Sequence, residues 1–583
     1  RAKHTFTLGE SEFLLDREPF RIISGELHPS RIPAEYWRHR IQMAKAMGCN
    51  TITASVFWNF HESEEGVFDF STGNHNIAEF INLVKDEEMW LILRPGPYVG
   101  AEWELGGLPP YLLRIPGIRL RSLDENFMKA TERYIRRLSE EIASSQITRG
   151  GPLLMIQIEN EYGSFGDDRN YLVRLKEIWT ASGINIPTFT ADDPSGDKLK
   201  AGTIPGSAVG ITSASSLSDF ELASQINPGV PVFVTKTCMG TVNHWGDERA
   251  LPETEKILNE VKFLMDNKKS FNFYVLHGGT SFGFTAGASL NDGELYQPYV
   301  TSYDFNAPVN EQGHPTQKYM ALRNLILSYL PKKQKLPDIP VSKPAVEIPS
   351  LFPMRFTSIW DYLPDPLTSD TLLSFEESDQ SYGFMLYQTR ISDYSKGLLK
   401  VEGLNDYATV FFNGDYIGRL SRMEGIDTIT LPESKVQAPE LEILVEAMGR
   451  ISKGENMTDR KGITGSVTLN GIFLNNWNIY NLPVDKKFIY DLRSRGKVMN
   501  KPGIFYKGNV SLGITGDTYF DLTGYTKGVV WINGNNIGRY WNIGPQKKLF
   551  CPESFLRLGI NEILILDLIQ IEPKPVLGSD SPE

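Results

Sequence analysis

Residues 1–330 repeat one pattern: a short apolar run of strand length, then an amphipathic stretch of helical length. The candidate strands are Phe20–Ser24, Thr51–Val56, Trp90–Arg94, Leu153–Ile158, Thr188–Ala191, Ala208–Thr212, Val232–Thr235 and Phe271–Leu276. Helical stretches such as Ala34–Met47, Ile77–Glu87 and Asn126–Ser144 lie between them. Eight strands with intervening helices predict an α/β fold, a (β/α)8 TIM barrel. An open doubly wound sheet is the competing arrangement. It is disfavoured because no Gly-rich phosphate loop follows the first strand.

Residues 331–349 are rich in Pro and Lys and read as a linker. Beyond them the period changes from helical to alternating, in segments such as Gly383–Ile391, Tyr407–Phe412, Leu441–Glu446, Gly528–Asn533 and Glu562–Leu566. An internal repeat runs through this half. Phe-Asn-Gly-Asp-Tyr-Ile-Gly-Arg (412–419) resembles Ile-Asn-Gly-Asn-Asn-Ile-Gly-Arg (532–539), and Glu-Ile-Leu follows each at the same offset, from Glu442 and from Glu562. Asn-Gly between apolar strands is a strong hairpin signal. The duplication implies two related jelly-roll or β-sandwich modules, at 350–485 and 486–583, after a catalytic barrel at 1–330. Packing support is their expected role.

At 583 residues the chain is too long for one core. A net charge of −12 argues against nucleic acid or an anionic membrane as partner. No apolar run reaches the roughly 18 residues that span a bilayer. Cys49, Cys238 and Cys551 are too far apart to imply a metal site or a disulfide framework. The chain opens at Arg1, as a processed secreted protein or a trimmed chain would. Asn456-Met-Thr and Asn509-Val-Ser match the glycosylation pattern, a triplet that also arises often by chance.

Barrel enzymes work at the C-terminal ends of their strands. Here those ends carry Trp58-Asn59-Phe60-His61-Glu62, Arg94-Pro95-Gly96-Pro97-Tyr98, Ala101-Glu102-Trp103-Glu104, Glu159-Asn160-Glu161, and Tyr274 followed by His277-Gly278-Gly279-Thr280. Rings that stack on a sugar's C–H face and carboxylates that accept its hydroxyls suit a carbohydrate. Taken singly, each has a bland alternative: a core Trp, or a solvated acidic strand end. The joint pattern at successive strand ends is what points to a site.

The runs Trp-Asn-Phe-His-Glu (58–62), Arg-Pro-Gly-Pro-Tyr (94–98), Ala-Glu-Trp-Glu-Leu-Gly-Gly-Leu-Pro (101–109), Glu-Asn-Glu-Tyr-Gly (159–163), His-Gly-Gly-Thr-Ser-Phe-Gly (277–283) and Val-Glu-Ala-Met-Gly-Arg (445–450) resemble glycoside hydrolase family 35, the β-galactosidases. The resemblance covers essentially the whole chain. It implies an exo-acting retaining hydrolase of terminal β-galactose, working through two carboxylates roughly 5 Å apart. By motif, Glu161 is the acid/base and Asn160 contacts the sugar 2-hydroxyl. Glu102, the Ala101 backbone and Tyr274 bind hydroxyls. Carboxylates and water suffice for this chemistry, so no metal or organic cofactor is expected. A glycan is the expected partner, homo-oligomerisation is left open, and a periplasmic or secreted location follows from the substrate class.

The sequence departs from the family on the seventh strand. Thr235, Gly240, His244, Trp245 and Gly246 set a gap-free register that puts Lys236 at the nucleophile position. In the same register Cys238, Thr241 and Asn243 replace an aromatic, a Trp and an Asp. Ser55 stands for the galactose-binding Tyr of strand two, and Tyr303-Asp304-Phe305-Asn306 for Tyr-Asp-Tyr-Asp. An ammonium cannot attack the anomeric carbon, and it opposes the positive charge of the transition state. Losing such a group costs on the order of 10⁴ in rate. Four readings follow: a hydrolase whose pocket is rebuilt for another sugar or linkage with an alternative nucleophile or base, Asp192 being the candidate; a hydrolase in which Lys236 binds an anionic sugar; a non-catalytic glycan-binding descendant; or an engineered or inactive variant. The bland alternative is a Lys236 turned aside into a salt bridge with Glu102 or Glu161.

Overall fold

The computed structural model describes residues 3–583 apart from 292, 393–395 and 456. The glycosylation triplet at Asn456 therefore lies outside the described residues.

Eight parallel strands close a barrel in sequential order: β1 (Ile23–Leu27), β2 (Thr51–Ser55), β3 (Trp90–Arg94), β4 (Leu153–Gln157), β5 (Thr188–Asp192), β6 (Ala208–Ile211), β7 (Val232–Cys238) and β8 (Phe271–His277). A helix follows each strand, from Trp37–Met47 after β1 to Gln317–Ser328 after β8. The helix Glu125–Ile142 shows why. Phe127, Ala130, Tyr134, Ile135, Leu138 and Ile142 recur at helical spacing and are buried, and the Asp124 side chain caps the first turn by accepting from the Asn126 N–H.

Two strands differ from expectation. β1 starts three residues later than expected, because Glu18–Phe20 instead joins Phe6–Leu8 and Phe13–Leu15 in a small antiparallel sheet across the N-terminal end. β7 runs on past Thr235 to Cys238, and its pairing with β8 slips between Val234 and Thr237. Thr235 and Lys236 occupy that bulge, a feature that re-aims side chains and is common beside active sites.

Residues 331–347 carry no helix or strand. They are tied to the barrel where the Arg323 guanidinium donates to the Pro337 carbonyl (2.8 Å) and the Ser342 hydroxyl to that of Gly313 (2.7 Å). The first strands after them, Ile348–Leu351 and Met354–Ser358, do not enter the middle module with which the sequence reading grouped them. They pair with Val576–Ser579 and Ile504–Leu512, in the two sheets of the last module. Local strand patterning cannot reveal partners about 150 and about 230 residues away.

The middle module pairs a six-stranded with a four-stranded sheet, the last a five-stranded with a four-stranded sheet. Both repeated turns are hairpins, Tyr407–Phe412 with Asp415–Ser421 and Lys527–Ile532 with Asn535–Trp541. Asn413 and Asn533 take the left-handed conformation each turn needs. Their side-chain oxygens accept from the returning strand, at Glu440 N–H (3.0 Å) and Glu562 N–H (2.8 Å). The copies thus close with registers two residues apart, despite the equal spacing of Glu-Ile-Leu.

A loop of the middle module docks on the C-terminal face of the barrel. Buried Arg450 bridges Glu104 (2.8 Å) and Glu376 (2.7 Å), and the Tyr98 hydroxyl donates to the Ser452 carbonyl (2.6 Å).

Candidate active site

At that face the strand ends enclose a pocket of about 550 Å³, counted with its open mouth. Its wall includes Arg94, Tyr98, Ala101, Glu102, Gln157, Asn160, Glu161, Lys236, Tyr274, Tyr299, Ser452 and Lys453. Six of the expected site residues meet here: Ala101, Glu102, Asn160, Glu161, Lys236 and Tyr274.

The end of β4 is built by backbone strain. Glu159 and Glu161 both adopt positive φ, at 59° and 48°, a conformation that costs non-glycine residues energy and clusters at functional sites. The two carboxylates are thereby sent to different places. Buried Glu159 is clamped by the Arg121 guanidinium (2.7 Å) and the Tyr171 hydroxyl (2.7 Å). Glu161 reaches the pocket, where its only ion-pair partner among the described residues is the exposed Lys453 ammonium at 3.8 Å. Asn160 is fixed between them: its side-chain oxygen accepts from Gln157 (2.9 Å) and Arg94 (3.2 Å), and its amide donates to the Val99 carbonyl (2.8 Å).

Below the wall lies buried Glu26 on β1. It accepts from Arg94 (2.7 Å), Ser55 (3.1 Å) and Asn272 (3.0 Å), and its Oε2 lies 2.7 Å from His28 Nε2. Burial alone would raise its carboxyl, but the Arg94 charge and these bonds bring it down to about 2. Ser55 belongs to this network beneath the pocket, where it also accepts from Arg94 (3.0 Å). It is not on the wall, which corrects its expected place among the sugar contacts. A serine is too short to reach past the Arg94 head.

Glu102, also at positive φ (53°), takes a hydrogen bond on Oε1 from the Tyr303 hydroxyl (2.8 Å). Tyr303 shares a further bond with Tyr274 (2.8 Å) and is covered by the Arg31 guanidinium, 3.6 Å from its ring centre. Phe305 packs edge-on against Tyr274, 5.5 Å between ring centres. Tyr303 and Phe305 therefore support the wall from behind.

Lys236 lies on the wall, partly exposed, with Nζ 4.7 Å from the centre of the Tyr274 ring. No carboxylate lies within ion-pair distance of it among the described residues, so it does not close a salt bridge with Glu102 or Glu161. Burial disfavours the ammonium, yet the nearby Glu161, Cys238, Glu102 and Tyr274 hold its pKa well above the usual lysine value. It is a permanent cation.

Three expected residues are elsewhere. Asp192 is sealed behind the Glu161 turn. Its Oδ1 accepts from the Gly163 N–H (2.8 Å) and its Oδ2 has no partner among the described residues. A Cβ on Gly202 would come within 2.2 Å of it, so only glycine lets that backbone cover it. Burial raises its carboxyl well above the usual range. A carboxyl enclosed outside the pocket cannot reach a water there, so Asp192 is not placed to act as the alternative base. Cys238 is exposed and off the wall, and Thr241 lines a neighbouring cavity with Asp304, Phe305 and Glu311.

The site also uses residues not singled out from sequence. Ser452 and Lys453 come from the docked loop, whose only advance signal was the Val-Glu-Ala-Met-Gly-Arg motif ending just before them. Tyr299 joins the wall by stacking on His244, 4.5 Å between ring centres.

The profile of glycosyl hydrolases family 35 matches residues 12–329. The chain belongs to this family. Two further profiles, the β-galactosidase first all-beta domain and galactose-binding domain, match residues 373–483 and 503–561. The chain is 35% identical to a β-galactosidase of Xanthomonas manihotis, over 95% of this chain and 92% of that one. It is 37% identical to the human β-galactosidase-1-like protein 2 (97% and 91%) and 34% identical to a β-galactosidase of Bos taurus (96% and 89%). It is a glycoside hydrolase of the β-galactosidase type, and a glycan is its substrate. No helix among the described residues is long and apolar enough to cross a membrane.

Proposed function

We propose that the protein removes a terminal β-linked galactose or close relative from an oligo- or polysaccharide, with Glu161 as proton donor. The carrying observation is the turn after β4, which delivers Glu161 to the pocket while Arg121 holds Glu159 away. Glu161 protonates the leaving oxygen as the glycosidic C–O bond breaks. Lys236 offers no carboxylate for a glycosyl ester, so water attacks the anomeric carbon directly. The other carboxylate on the wall is Glu102. Its Oε2, not engaged by Tyr303, takes the proton released by that water. This single displacement inverts the anomeric configuration. A polymeric or secreted glycan also fits a periplasmic or secreted enzyme.

The test is release of aryl groups from β-galactoside, β-glucoside and β-glucuronide, repeated with Glu161→Gln, with the anomer released first read by proton NMR. Turnover abolished by the substitution, with the α-anomer appearing first, supports the proposal. A first-formed β-anomer sinks the single displacement. Sugar binding without turnover, unchanged in Glu161→Gln, would make the chain a binding protein instead.

A further inference from the structure

Glu161 and Glu102 favour the charge on Lys236 from a distance, but no group on the pocket wall pairs with it directly. The β7 bulge turns the side chain inward, and Nζ rests near the Tyr274 ring with no hydrogen bond and no ion pair among the described residues. The neighbouring groups are already engaged. Glu102 holds Tyr303, Glu161 faces Lys453, and Arg94 is neutralised by Glu26. An ammonium has three N–H donors, and a ligand that covers them without accepting from them leaves a costly unpaired charge.

Charge bookkeeping points the same way. With Arg94 paired to Glu26, the acidic and basic side chains left on the wall are Glu102 and Glu161 against Lys236 and Lys453. A glutamate at position 236 would leave three carboxylates and repel any anion. Lysine shifts the balance by two charges and gives an anionic ligand a seat. The hydroxyls of neutral galactose can accept from the ammonium but bring no opposing charge, whereas an anionic oxygen supplies both.

We infer that the sugar this pocket takes carries an anionic oxygen group, a carboxylate or a sulfate ester, and that Lys236 is its counter-ion. The inference rests on reading the pocket as the glycosidase's sugar site. It adds the substrate class.

Titration calorimetry of the full chain tests it with D-galactose, D-galacturonate, galactose 2-sulfate and galactose 6-sulfate. At least one anionic sugar is expected to bind tenfold or more tightly than galactose, and whether it is the uronate or a sulfate names the source. Lys236→Met should erase the preference, and Lys236→Arg should keep most of it. The unfolding temperature of each variant separates lost binding from lost folding. The inference is overturned if galactose binds as tightly as all three anions, or if the preference survives Lys236→Met in a folded protein. Because binding is read without turnover, the two claims fail separately. Cleavage of aryl β-galactoside with no anion preference removes this inference alone. A Lys236-dependent anion preference in a chain that cleaves nothing removes the hydrolase mechanism alone.

Discussion

The ends of β4 and β7 meet at one pocket and are finished in opposite ways. At β4 each polar group has a protein partner: Glu159 has Arg121 and Tyr171, and Asn160 has Arg94, Gln157 and Val99. The left-handed turn then leaves Glu161 directed at the pocket. At β7 the bulge delivers Lys236 to the same wall beside the Tyr274 ring, with no hydrogen bond or ion pair among the described residues. One strand end is completed from within the protein, and the other waits for something outside it. Position in a pocket and completion by neighbours are thus separable properties.

The largest expected effect breaks the β4 side. Glu161→Gln keeps the shape and removes the transferable proton, and kcat on unactivated glycosides should fall about 10³–10⁴-fold. Aryl glycosides with good leaving groups need less protonation and should lose less. Equal losses on both substrate types would deny Glu161 its acid role.

Next comes the clamp behind it. Arg121→Met strands the Glu159 carboxylate in the interior, where an uncompensated charge costs about 3–5 kcal/mol. Thermal unfolding should show that loss, and Arg121→Met/Glu159→Gln should recover part of it. A single variant as stable as the wild type would remove the clamp from the account of how Glu161 is aimed.

Glu26 underlies both strand ends and carries a pH signature. Its folded pKa, about 2, lies below the unfolded value near 4.5. The stabilisation is therefore complete above about pH 4.5 and is lost as pH falls towards 2. A drop from 4.5 to about 2 corresponds to roughly 3 kcal/mol. Glu26→Gln should flatten that acid limb in urea titrations run between these pH values.

Much of this was legible in the sequence, for a physical reason. Strands buried on both faces of a parallel barrel read as apolar runs, so β3 matched residue for residue and the others within a few residues. β1 slipped because its buried Ser24 and Glu26 break the apolar pattern that marks a core strand. The Glu-Asn-Glu motif located the β4 end and, through the family resemblance, Glu161 as the acid/base, but not what turns Glu159 away, since that depends on Arg121 arriving from another loop. On sequence, Asp192 is the candidate alternative base because it is a carboxylate ending a strand. Only the packing of Gly163 and Gly202 around it shows it enclosed. Ser452 and Lys453 were hidden for the opposite reason: they are about 290 residues from Glu161 in the chain and reach it only because Arg450 docks the loop.

On the β7 side, Lys236→Glu should raise turnover of neutral aryl β-galactosides, by about tenfold, since it supplies a carboxylate beside the anomeric carbon. The gain should be limited by Cys238 and Thr241, which stand off the wall where the family has larger aromatics. A change from α- to β-anomer as first product would accompany it. A folded variant with lower turnover of every substrate would mean that the lysine itself is required by the native reaction.

The smallest effect belongs to the contact that most resembles a link across the comparison. Lys453 lies 3.8 Å from Glu161, but its side chain is 64% exposed. Pairs of that kind are worth about 0–1 kcal/mol and are screened by salt. Lys453→Ala should therefore change kcat/KM less than about threefold, and less still at high ionic strength. Lys236 sits deeper, so substitutions there should respond weakly to salt. If both positions show the same salt dependence, Lys236 is as solvated as Lys453, and the contrast between a finished and an unfinished strand end loses its basis.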